Sequence, residues 1–152
     1  MIHYNEIDQE ITKTILKEHE GYKLESYFCS EGFKTGGFGH RILEGEDIPT
    51  TKEGWEEVFQ KDFDKAVDGA SELITVDTLS PAAFGIVVEM CYQMGQYGVS
   101  KFKMFLSELN KEEPLYKEAS LHMLDSKWAK EQTPRRAKEM AHRMSMIGTF
   151  VG

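Results

Sequence analysis

Cysteine is scarce in this chain, with Cys29 and Cys91 the only two among 152 residues. A secreted disulfide scaffold is shorter and far richer in thiols, so reduced cysteines are expected. Long apolar runs are missing too. The longest, Pro81 to Val88, is interrupted by Gly85 and stops at Glu89, well short of the roughly 20 residues a membrane-spanning helix needs. Met1 to Asp8 has no positive region followed by an apolar stretch, so no signal peptide is expected and the chain is read as cytoplasmic. Positive charge is in deficit: 18 Lys and Arg against 26 Asp and Glu leave a net −8. That excludes nucleic-acid binding through a general basic field, because phosphate affinity comes from Lys and Arg. Only the local run Arg135-Arg136-Ala137-Lys138 goes the other way. Repeats, low-complexity tracts and long linkers are absent, which leaves one domain over residues 1–152. His3, His19, His40, His122 and His142 are scattered without metal-ligand spacing, and no phosphate loop occurs, so neither metal nor cofactor is expected.

Hydrophobic residues make up 40% and charged residues 29%, enough for a core and incompatible with disorder or a collagen repeat. Ile7, Ile11 and Ile15, with Leu16, recur every four positions and predict an amphipathic helix over 6–20, stopped by Gly21. Glu20 thus sits at a helix C-terminus. From Gly21 to Pro49, aromatic residues cut by Gly32, Gly36, Gly37 and Gly39 predict a small antiparallel sheet. Their density implies that something approaches the backbone closely. Thr50 or Thr51 caps a helix from about 51 to 73. Ser80-Pro81 opens another, apolar nearly all round from Ala82 to Met94 and so expected to be buried. Shorter helices follow at about 101–109, 116–124 and 133–146. The outline is α+β: a sheet lobe over about 21–50, a connecting helix over 51–73, and a helical lobe over 74–152 that takes in helix 6–20.

Two blocks of sequence carry a resemblance. In the first, Glu20 is followed by eight residues, Cys29, five residues, and Thr35 before Gly36-Gly37-Phe38-Gly39-His40. The second holds Gln93-Met94-Gly95, Gly98-Val99, Phe102, Ser126-Lys127-Trp128, Gln132-Thr133-Pro134 and Arg136-Ala137. In this order they resemble the phage-type, T4-like lysozymes, with Cys29 where Asp is commoner, over roughly residues 15–146. The resemblance implies a two-lobed fold with the glycan between the lobes. It also implies hydrolysis of the β-1,4 bond between N-acetylmuramic acid and N-acetylglucosamine in bacterial peptidoglycan.

That reaction needs an acid at the leaving oxygen and a group that activates water or attacks the sugar. Glu20 fits the acid, since free carbonyls at a helix C-terminus favour a protonated carboxyl. The resemblance implies that Arg136 reaches Glu20, which works the other way. A free thiol titrates near ~8.5, so Cys29 is expected to be mostly neutral at pH 7, and an ionised Glu20 to keep it so. Either Cys29 and Thr35 place and deprotonate a water, giving inversion, or the thiolate attacks the anomeric carbon, giving retention. The first route is favoured. Structural alternatives stand beside these roles: a small packed residue for Cys29 and a strand former for Thr35. The resemblance implies that His40 pairs with Asp62 as a structural tie. Tyr92 and Gln93 fall where the family lines its cleft, with core packing an equal reading of Tyr92. Arg41, Phe105 and His122 stand at positions that contact saccharide in relatives, although their residue types differ from those expected. Trp128 reads as a core anchor.

The resemblance further implies a monomeric endolysin without stable membrane insertion. It would wait in the cytoplasm of an infected bacterium until a holin opens the membrane. Two other classes remain: a lysozyme-like module that only binds peptidoglycan or a protein, for which Cys29 and the acidic surface argue, and a lytic transglycosylase. The latter works without water, and Cys29 with Thr35 at motif spacing argues against it.

Overall fold

A computed structural model of the chain describes residues 2–148; residue 1 and residues 149–152, the expected end of the helical lobe, lie outside the described part. Helix α1 spans Glu6–Glu20. A reciprocal cap starts it, Asp8 N–H donating to the Asn5 side chain and Asn5 N–H to the Asp8 carboxylate, each at 3.0 Å. Gly21, at φ 69°, ends it. The face turned to the core carries Thr12 and Leu16. The isoleucine stripe does not: Ile7 and Ile11 are 71% and 56% exposed. Periodicity revealed the helix but not which side would be covered, because that depends on what packs against it.

Strands β1 (Lys23–Phe28), β2 (Lys34–Gly37) and β3 (His40–Arg41) form an antiparallel sheet in that order. In its register Thr35 stands opposite Tyr27 on one side and Arg41 on the other, so the three share a face. Helix α2 (Lys52–Leu73) follows, capped by Thr51 Oγ1, which accepts Gly54 N–H at 3.0 Å. The glycines of β2 are explained by Trp55 of this helix. A Cβ at Gly36 would lie 2.6 Å from the Trp55 ring, and one at Gly37 would collide with it. Trp55 Nε1–H donates to the Leu24 carbonyl at 2.9 Å, so the sheet is fastened to the helix through a buried indole.

Helix α3 (Pro81–Ser100) is capped by Ser80 and is the core's central rod; Val87, Val88 and Met90 are fully buried. It passes beyond the expected end at Met94, because the chain kinks at Gly95 (φ 79°, ψ 159°) and resumes a helical path. Helices α4 (Lys103–Leu109), α5 (Tyr116–Leu124) and α6 (Pro134–Met146) complete the described part. One turn of π-helix at Trp128–Gln132, which periodicity did not indicate, precedes α6. Trp128 is buried among the core residues. Glu89 of α3 is buried as well, and Arg143 of α6 grips it with two hydrogen bonds of 2.7 and 2.8 Å.

Candidate active site

Glu20 is carried by the last turn of α1 and is largely covered. Its Oε2 accepts from Arg136 Nη1 of α6 at 3.0 Å. Its Oε1 faces Gly39 in the turn between β2 and β3, where a Cβ would collide with the carboxylate. That turn residue is at φ 74°, so glycine is required twice, for conformation and for room. Arg136 Nε and Nη2 are buried and make no hydrogen bond within the described chain.

Across the sheet, β1 and β2 close on a hairpin in which Cys29 N–H donates to the Phe33 carbonyl at 2.9 Å. The half-buried Cys29 sulfur faces the backbone N–H groups of Glu31 and Phe33. These donors, the Glu31 N–H first, hold the thiol below its ordinary pKa; partial burial and the Glu31 carboxylate oppose them. The carboxylate that opposes them is Glu31, where Glu20 was expected. Thr35 is buried, and its hydroxyl donates to the Phe33 carbonyl at 2.9 Å.

Tyr27 links the two sides. Its phenol is pushed above the ordinary value by burial, then by the charges of Glu20 and Cys29. Tyr27 lies within the first sequence block but was assigned no role there; strand alternation, which sets it on the face of Thr35, was the available signal.

A groove of about 350 Å³ opens between β3, α2 and the end of α3, lined by Gly39, His40, Arg41, Lys65, Tyr92 and Gln93 among others. Tyr92 has its hydroxyl turned inward, donating to the Phe38 carbonyl at 2.6 Å, and its ring lies against Phe59. Burial, ahead of the charges of Asp62 and Glu20, raises its pKa. Gln93 Nε2 donates to Thr133 at 3.0 Å, while its Oε1 is buried without a partner among the described residues. His40 Nδ1 meets Asp62 at 2.6 Å and Nε2 meets Glu46 at 2.7 Å. The bond to Asp62 raises its pKa, with burial opposing and Glu46 adding. Glu46, in the loop after β3, carried no sequence signal.

Phe105 and His122 are not brought to this groove. They line another, of about 610 Å³, beside Trp128 and Gln132. Phe105 is 1% exposed and edge-on to Phe102, so its ring is a core group with no face for a sugar.

A family model described as phage lysozyme matches residues 17–144. The chain belongs to the phage lysozyme family. Probable T4-type lysozyme 2 of Dictyostelium discoideum is 32% identical over 155 residues, covering 84% of this chain and 89% of that protein. Probable T4-type lysozyme 1 of the same organism is 31% identical over 156 residues, with the same coverages. As a phage lysozyme family member the chain is a glycoside hydrolase of the lysozyme type, with peptidoglycan as its substrate. The matched span holds Glu20, the sheet, α2 and Arg136.

Proposed function

We propose that the chain is a muramidase that cleaves the β-1,4 bond between N-acetylmuramic acid and N-acetylglucosamine with inversion. Glu20 acts as general acid, and Cys29 with Thr35 holds the attacking water. The supporting observation is that the Glu20 carboxylate, held by Arg136, lies against Gly39 in the β2–β3 turn of the same small sheet whose β1–β2 hairpin carries Cys29 and Thr35.

Glu20 protonates the leaving 4-oxygen as the bond to the anomeric carbon breaks. Arg136 Nη1, at 3.0 Å, stabilises the carboxylate left behind. On the opposite sugar face, water bonds to the anomeric carbon and gives its proton to the Cys29 sulfur. Tyr92 and Gln93 form the groove wall.

NMR of the first product tests the mechanism: the α anomer is expected, and a β anomer would point to a thioglycoside. Wall turbidity should fall with the natural chain and stay level with Glu20→Gln; wall binding without turbidity loss would make the chain a binding module. Anhydro ends on the muropeptides, seen by mass spectrometry, would mark a transglycosylase. We read the chain as a monomeric endolysin of an infected bacterium. Expression in a bacterium should then cause lysis with a holin and none without it.

A further inference from the structure

In a chain of net −8, two cations on the groove have no carboxylate partner among the described residues. Arg41 of β3 lies beside Thr35 in the sheet register, on the same face. Its guanidinium is stacked on the Phe33 ring, 3.7 Å from the centroid, and none of its side-chain donors meets an acceptor among the described residues. Lys65 of α2 lines the opposite wall and is likewise without an acidic partner. The acid in the groove lining, Asp62, is already engaged with His40 at 2.6 Å. A stacked guanidinium is held flat with its fork of donors available, which suits two-point recognition of a carboxylate. Neighbouring strands lie about 5 Å apart, so the Arg41 backbone is one strand away from Thr35.

We propose that Arg41, assisted by Lys65, is the specificity determinant that reads a carboxylate carried by the muramic acid substituent. This rests on the peptidoglycan reading above. Two sources share the chemistry: the acidic groups of a stem peptide, and the lactyl carboxylate that remains once the peptide is removed. Neutral N-acetylglucosamine polymers carry neither, so the groove would separate cell-wall glycan from chitin by charge.

The test measures kcat/KM on three preparations of one bacterial wall: native, with its stem-peptide carboxylates chemically amidated, and stripped of peptide by an amidase. The natural chain should prefer a carboxylate-bearing wall over the amidated one. Arg41→Gln should cut that preference about tenfold through KM, as expected for the loss of one charge-assisted hydrogen bond. Arg41→Lys should restore part of it, and Lys65→Gln should have a smaller effect. A loss confined to native wall assigns the stem peptide; a loss confined to stripped glycan assigns the lactyl group. An equal loss on amidated wall, or none anywhere, overturns the inference. Calorimetric binding of a soluble disaccharide-peptide to Glu20→Gln and to Glu20→Gln/Arg41→Gln gives a readout independent of turnover. If the natural chain cleaves no wall, the hydrolase reading fails while this comparison still decides on Arg41.

Discussion

Single residues here owe their chemistry to the few atoms that touch them. Cys29 is the clearest case, because the backbone N–H groups of Glu31 and Phe33 make its sulfur more acidic than an ordinary thiol. If it accepts the water's proton, activity rises with pH through an inflection below the usual cysteine value. Cys29→Asp should stay active with that inflection moved toward pH ~4, and Cys29→Ser should lose about 100-fold in kcat; pH–rate profiles of the three proteins check this. Gly39→Ala should both strain a positive-φ turn, at about 1–2 kcal/mol, and push Glu20 aside. Loss of most activity with only a modest fall in urea midpoint is the expected pattern. His40, raised by Asp62, contributes stability that is fully present below its unfolded value of about 6.5 and is lost as pH rises through its higher folded value. The difference in urea midpoint between the natural chain and His40→Asn should therefore narrow from about pH 6.5 upward.

At the level of elements, charge fixes how α6 lies on α1 and α3. Arg143 bonds Glu89 of α3 twice and Glu139 at 2.7 Å, and Glu139 meets His19 of α1 at 2.8 Å. Burial raises the pKa of Glu89, with Arg143 pulling it back. Glu89→Gln should cost about 3 kcal/mol, the low end for breaking a buried pair, because Arg143 keeps 27% exposure; denaturant titration measures it. Since α6 also carries Arg136, the same variant should lose activity before it unfolds. Helix ends were legible in the sequence because caps and terminators act over three or four residues: Gly21, Thr51 and Ser80-Pro81 all stand where the helices begin or stop. The run beyond Gly95 and the π-turn at Trp128 were not, since both depend on packing against other helices.

For the molecule as a whole, net charge sets the approach and local charge sets the docking. An anionic wall repels a chain of −8 at long range, an effect that salt screens within about 10 Å at 0.1 M. Activity on whole walls should rise from low to moderate ionic strength; a steady fall from the lowest salt upward would count against it. Once the wall is reached, the groove offers Arg41 and Lys65 in place of net repulsion.

Local signals determined much of this protein in advance. The class α+β, the placing of Glu20 at a helix end and the motif from Glu20 through Cys29 and Thr35 to His40 are written in neighbouring residues, and the helix boundaries follow from backbone chemistry that needs no partner. Through-space neighbours decided the rest. Which side of α1 is covered, why β2 is glycine-rich, what lowers the Cys29 thiol, where Phe105 is buried and which face Arg41 shares with Thr35 all depend on groups far away along the chain. Burial and charge are properties of the surroundings, and those exist only once the chain has folded.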